Sequence, residues 1–334
     1  MRSHVRMTAT TLVFAALVVG ASQIGLTQGQ GQRGRGGQPA PPAPTMSEDQ
    51  IRQAMAIARV GRRLTPKAWP NGAKVAVNIG YDVDNMGIGR GGGPLPAAAS
   101  GGEYGAVDGL PRILALLDRQ QLPATFFMPV SSAILNPEMI PLIQKSGRHE
   151  IALHGWVHEN QNQVNNAQEE ERLLTQSLDY FQKVLGKRPV GTRAPGWNFS
   201  PNSVDVLRKS GLLYDSSMMG LDEAYEIDAK GQPTGLVELP VEWILDDAPY
   251  FGRTGALPSP EAIFKVYQDE FDKAYQEGGM LMATFHPHIV GRRSRMVHLE
   301  KLIAYIKSKP GVWFATAEQI ANHVKPSAGR TSQR

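Results

Sequence analysis

The stretch Glu150-Ile151-Ala152-Leu153-His154-Gly155-Trp156-Val157-His158-Glu159 joins a short run of buried-strand character to two histidines four positions apart. A polar Asn/Gln-rich loop follows (160–166), then a helix predicted over Gln168 to Leu185. That helix is acidic at its start (Glu169, Glu170, Glu171), as the helix dipole favours, and Gly186 is its stop. Val190-Gly191-Thr192-Arg193 reads as the next strand. Strand, long helix and strand in succession imply parallel strands joined by a crossover. The two imidazoles just past a strand end can converge on one cation, since each neutral ring offers a nitrogen lone pair. Two solvated loop histidines have the same spacing, so a third ligand candidate elsewhere must decide.

The same unit repeats outward in both directions. Strands are predicted at 74–79, 124–128, 212–215, 236–241, 280–285 and 312–316, with helices at 107–120, 137–145, 201–209, 260–277, 299–307 and 317–323. Residues 80–102 read as a long glycine-rich loop. Around seven such units in one domain predict a barrel, closed or nearly so. A doubly wound sheet would carry Gly-x-Gly-x-x-Gly after the first strand, and none stands there. In a barrel of parallel strands, chemistry gathers at the strands' C-terminal ends.

The 334 residues suit one large α/β domain, and 41% apolar with 20% charged residues is ordinary globular composition. A net charge of +4, with many cations near the two ends and no aromatic interleaving, does not describe a nucleic-acid surface. Cysteine is absent, which excludes thiolate chemistry and disulfides and leaves histidine and carboxylate as strong metal ligands. Arg2, His4 and Arg6 precede the apolar run Leu12 to Val19 and a small-residue cleavage motif, Val19-Gly20-Ala21. This is the pattern of an export signal, its apolar run shorter than the roughly 20 residues that span a bilayer, with an uncleaved anchor as the other reading. The expected organisation is a signal peptide (1–27), a Gly/Pro/Gln linker (28–46), and a lead-in helix opened by the capping box Ser47 to Gln50 and ended near Gly61 (47–73). A catalytic domain (74–324) and a flexible tail (325–334) follow. Ile51, Met55 and Ala58 share one face of the lead-in helix, expected to pack on the outside of the domain.

Four groups stand immediately after four predicted strands. Asp82 and Asp84 face the same way if the chain stays extended, and two adjacent carboxylates need a cation or a proton between them. An Asp-rich turn capping loop amides is the other reading. Arg193 can hold a carboxylate in a forked pair, or stand at the surface beside its Pro-Gly turn. His286 is placed to act as general acid toward a leaving nitrogen, and His288 is a solvated neighbour or a substrate contact. His4, His149, His298 and His323 read as structural or surface residues.

With these residues in view, the sequence resembles the polysaccharide deacetylase (NodB-homology) superfamily over roughly residues 74–324, with the motifs in the right order. The resemblance implies a distorted (β/α)7 barrel. It implies Asp82 as base, Asp84, His154 and His158 as metal ligands, Arg193 as the residue orienting Asp82, and His286 as general acid. Trp156, Glu159, Trp197 and His288 are the expected substrate contacts. The runs His154 to Glu159, Arg193 to Trp197 and Glu238 to Trp243 resemble the peptidoglycan-deacetylase-like and allantoinase-like branch. Asp-Val-Asp in place of adjacent aspartates, and the bulky Trp156 and Glu159, depart from the main pattern. Trp156 is expected to narrow the groove a glycan needs.

The resulting expectation is a metal-dependent hydrolase of non-peptide C–N bonds, with zinc first and cobalt, nickel or iron also suited to His₂Asp. Its substrate is an N-acetylated polysaccharide such as peptidoglycan, or alternatively a small cyclic amide or imide. A non-catalytic carbohydrate-binding barrel is the reading from a different class, which loss of a ligand or of Asp82 or His286 would have favoured. The protein is expected to be exported to the periplasm or beyond, to meet membrane only through its export signal, and to have no nucleic-acid partner. A homo-oligomer stays open.

Overall fold

The computed structural model describes residues 46–84, 96–251 and 258–325. The expected signal peptide, nearly all of the expected linker and tail, and the middle of the glycine-rich loop lie outside the described residues. The strands are β1 (Arg59–Arg63), β2 (Val75–Asp82), β3 (Thr125–Met128), β4 (Glu150–Leu153), β5 (Gly191–Thr192), β6 (Tyr214–Asp215), β7 (Tyr225–Ala229), β8 (Gln232–Glu238), β9 (Met280–Phe285) and β10 (Val312–Phe314). They form one sheet in the order β1-β7-β8-β6-β5-β4-β3-β2-β10, with β9 also on β2. From β9 through β2, β3, β4, β5 and β6 to β8, every neighbouring pair is parallel. Between the two ends of that run, Asp246 bridges Thr284 of β9, so the sheet curls into the expected distorted barrel. An antiparallel ribbon, β7 and β1, extends the β8 side.

Alternation along β2 decides which residues meet which layer. Val75, Val77, Ile79, Tyr81 and Val83 pack with the helices in the larger apolar cluster. Ala76 joins Phe127, Ala152, Tyr214, Val237, Met280 and Met282 in a second cluster that fills the barrel. Asn78, Gly80 and Asp82 continue this inner series.

A polar layer closes the end of the barrel at which the strands begin. Glu150 accepts hydrogen bonds from Thr125 Oγ1 (3.0 Å), Tyr214 Oη (2.7 Å) and the Glu318 amide (2.9 Å). Asn78 donates to Thr125 Oγ1 and to the Ala315 carbonyl. The amides of residues 317 and 318 open the last helix (Ala317–Val324), so its N-terminus plugs this end. The opposite rim, where the strands end, is left for function.

Several boundaries differ from expectation for identifiable reasons. The Ser47/Gln50 capping box forms, but the helix it opens stops at Met55 and buries nothing; Ile51 and Met55 are exposed. Gly61 lies in β1, where a Cβ would sit 2.6 Å from the Glu226 carbonyl of β7. β2 runs on to Asp82, and Pro96–Tyr104 is helical rather than loop. The helix predicted from Val107 begins as a π-turn (Gly105–Gly109) and continues as Leu110–Gln120. Predicted helix 168–185 is found at Ala167–Leu185, with Gly186 left-handed at φ 73°. Its buried Leu173, Leu178 and Phe181 each contribute about 1.5–3 kcal/mol by leaving water.

Candidate active site

Continuing the inner series upward places Asp82 at the last residue of β2 and Asp84 two further on, both buried. His154 follows β4, Arg193 follows β5 and His286 follows β9, all three buried. The site is thus the top layer of the barrel's interior, built by strand alternation.

Asp84, His154 and His158 bring one ligand atom each to within 4.8 Å of one another. Asp84 Oδ1 lies 3.5 Å from His154 Nε2, and Asp84 Oδ2 lies 3.3 Å from His158 Nε2. His154 Nδ1 is 2.8 Å from the Arg193 carbonyl. A carbonyl only accepts, so Nδ1 carries the proton and Nε2 turns its lone pair to the cluster. Burial lowers the His154 pKa, which keeps the ring neutral as a ligand must be. Burial alone would raise Asp84, but the imidazoles of His158, His154 and His286 hold it well below the usual carboxylate range. Asp84 Oδ1 is fully buried and has no hydrogen-bond partner among the described residues. A buried carboxylate oxygen left so beside the His154 Nε2 lone pair, with the His158 ring on the other oxygen, fits a divalent cation.

Asp82 and His286 flank this trio, each with its own holder. Arg193 Nη1 donates to Asp82 Oδ1 at 2.8 Å. The guanidinium is itself fixed: it donates to the Ser216 carbonyl and Oγ (3.0 Å each) and stacks 4.0 Å over Phe127. Gly80 leaves the space, since a Cβ there would stand 3.3 Å from Arg193 Nη1. A buried carboxyl pair steadies the Ser216–Met218 turn behind it. Ser217 Oγ donates to Asp215, and the Ser217 and Met218 amides donate to Glu238. Burial pushes Asp215 up to about 6, and burial beside Asp215 raises Glu238 further, so the pair holds a proton near neutrality.

His286 Nδ1 is 2.7 Å from Asp247 Oδ1 and 3.5 Å from Asp246 Oδ1, while Nε2 lies 3.6 Å from Asp84 Oδ2. Burial opposes a charge on the ring, yet the Asp247 hydrogen bond and the Asp247, Asp246 and Asp84 charges raise its pKa well above the ordinary value. Burial pushes Asp246 up to about 7. Sequence reasoning missed both aspartates. Their signal was the Asp-Asp pair in a segment already noted for its Glu-Leu-Pro-Val-x-Trp run.

Of the expected substrate contacts, one is revised. Glu159 accepts the Trp156 and Val157 amides at 2.9 Å each, so its carboxylate folds the loop back rather than facing a ligand. That clamp holds His158 in a left-handed conformation (φ 59°) that costs about 1–3 kcal/mol and aims its ring at Asp84. Trp156 is half-buried and packs edge-on against Tyr180 of helix Ala167–Leu185, 6.3 Å between centroids. Trp197 is half-buried and meets Trp243, a residue not singled out before, at 4.2 Å. His288 stands 5.5 Å from His286, and burial lowers its pKa to about 4. His149 and His298 pack on Phe126 and Phe264, and His323 lies between Trp69 and Trp313. His4 lies outside the described residues.

Residues 102–214 match the family described as Polysaccharide deacetylase. Over 282 residues the chain is 32% identical to the peptidoglycan deacetylase of Helicobacter pylori, covering 75% of this chain and 96% of that one. A crystal structure from Mycobacterium smegmatis, described as a polysaccharide deacetylase, superposes with TM-score 0.70 at 34% identity, over 80% of this chain and 95% of the other. An allantoinase structure shares the fold with TM-score 0.70 at 24% identity, over 79% and 94%.

Proposed function

Because the chain belongs to the polysaccharide deacetylase family, metal-dependent hydrolases of C–N amide bonds, we propose that it removes N-acetyl groups from a peptidoglycan-like polysaccharide with zinc at Asp84, His154 and His158. The observation that carries this reading is the pair of acid–base groups flanking the trio, each held by its own partner. When bound, the ion supplies Lewis acidity toward the acetamide carbonyl and brings the pKa of its water toward neutrality. Asp82, oriented by Arg193, accepts the proton of the attacking water as the new C–O bond forms. His286, protonated on Nε2 and held at Nδ1 by Asp247, gives its proton to the sugar nitrogen as the C–N bond breaks. Acetate and a free amine result.

The small-amide alternative draws on the allantoinase-like resemblance and on the bulk of Trp156, whose ring packs edge-on against Tyr180; the deacetylase relatives favour the N-acetyl glycan. The positively charged start, apolar run and small-residue motif at 2–21 support export, and an exported enzyme would meet a cell-wall substrate. The test is acetate release from an N-acetylglucosamine oligomer by the zinc-loaded protein, with chelator as control. Acetate release abolished by chelator is the expected result. Ring opening of cyclic imides without acetate release would overturn the proposal.

A further inference from the structure

Beside the site, the turn that carries His286 and His288 runs on into Gly291-Arg292-Arg293-Ser294-Arg295, the start of helix Arg293–Lys307. Arg292, Arg293 and Arg295 make no ion pair among the described residues. No Asp or Glu occurs at 1–45, 85–95, 252–257 or 326–334, so no acidic side chain outside the described residues is available to neutralise them. The first helical turn holds no acidic residue either, and cations there oppose the helix dipole.

Two of these arginines stack on aromatic rings. The Arg292 guanidinium lies 3.4 Å over the Tyr104 ring, and Arg295 lies 4.4 Å over Phe251 while donating to the Ile289 carbonyl at 2.9 Å. Arg112, paired with Asp108, donates to the Gly291 carbonyl and to the Tyr104 hydroxyl. The turn carrying Tyr104 is packed hard against His288: a Cβ on Gly105 would lie 3.0 Å from the His288 Cβ. His288 in turn lies 5.5 Å from the ring of His286. Burial and the neighbouring Arg292 lower the Arg295 pKa, with the nearby Asp247 acting against them. Asp247 is already committed to His286.

Arg292, exposed, and Arg295, half-buried, are thus stacked guanidinium groups with no carboxylate partner among the described residues, near the Asp247 that holds the general acid. Their planar forks match a carboxylate. We propose that Arg292 and Arg295 form a subsite for a carboxylate carried by the substrate, so that the enzyme prefers an acidic N-acetyl glycan to a neutral one. This rests on the deacetylase reading, whose site it extends.

The test compares the full-length zinc-loaded protein with Arg292→Gln and Arg292→Lys on two substrates. One is an oligomer containing N-acetylmuramic acid, which carries a lactyl carboxylate; the other is an N-acetylglucosamine oligomer. The expected result is a loss of roughly tenfold or more in kcat/KM on the acidic oligomer for Arg292→Gln, mainly in KM. The neutral oligomer is unaffected, and Arg292→Lys recovers part of the loss. Added salt should depress the native enzyme's advantage on the acidic oligomer alone. Equal losses on both substrates, or no loss on either, overturn the subsite. If the native protein binds zinc but deacetylates neither oligomer, the deacetylase reading fails by itself. Calorimetric titration with N-acetylmuramic acid and with N-acetylglucosamine then tests the subsite separately. Binding of the acidic sugar that Arg292→Gln weakens supports it; equal binding of both sugars refutes it.

Discussion

Replacing Asp247 with Asn tests the assignment of His286 as general acid, because it removes one charge and little volume. Asp247 Oδ1 takes the Nδ1 proton of His286 at 2.7 Å, and Oδ2 takes its amide at 3.2 Å. A charge-assisted bond of this kind is worth about 1.5–3 kcal/mol. Losing it lowers the His286 pKa, because the Asp247 hydrogen bond and charge are what raise it against burial. The sign follows from the role. The acid must carry its proton, so activity falls as pH rises through the His286 pKa, and the alkaline limb of the kcat/KM profile should move to lower pH. Loss of an oriented acid should also reduce kcat by about 10²- to 10⁴-fold. Zinc content should stay that of the native protein, since Asp247 is outside the ligand trio. Asp246, 3.5 Å from the same nitrogen, can take over part of the role, so the double replacement of both aspartates should shift the limb further. An alkaline limb that stays in place, with kcat equal to the native value, would show that another group protonates the leaving nitrogen.

Three further outcomes are expected. Asp84→Ala or His158→Ala should leave purified protein with little bound zinc by elemental analysis, because each removes one of three ligand atoms; full occupancy would place the ion elsewhere. Asp82→Asn should retain zinc yet abolish turnover, and surviving acetate release would reassign the base. Burial pushes Glu150 up to about 7 despite its hydrogen bonds from the Glu318 amide, Tyr214 and Thr125. A carboxyl whose pKa is raised on folding holds its proton more tightly in the folded state. Its contribution is therefore fully present below about pH 4.5 and fades as pH rises through about 7, by on the order of 3 kcal/mol. Glu150→Gln should flatten that part of the profile in urea melts at roughly pH 5 and pH 8; an unchanged slope would assign the pH dependence to other groups.

The parts of this protein that were legible in its sequence are those governed by local rules. Strand alternation put Asp82 and Asp84 on one face, and the same period carried Glu150, Ala152 and His154 into the barrel. Ser47 and Gln50 announced a cap, and Gly186 a stop. Neither rule reports what a side chain meets across the fold. The Ile51–Met55 stripe looked like a packing face, yet among the described residues nothing buries it and Ile51 and Met55 are exposed. Glu159 looked like a ligand contact because it is acidic and close to His158, but two amides of its own loop take its carboxylate. Asp247 was passed over for the converse reason: its partner His286 is 39 residues away and reaches it only when the segment after β8 folds over the barrel rim. Catalytic groups that end strands reveal themselves by position in the chain. The groups that hold them do so by tertiary contact, and there the sequence is silent until the barrel curls.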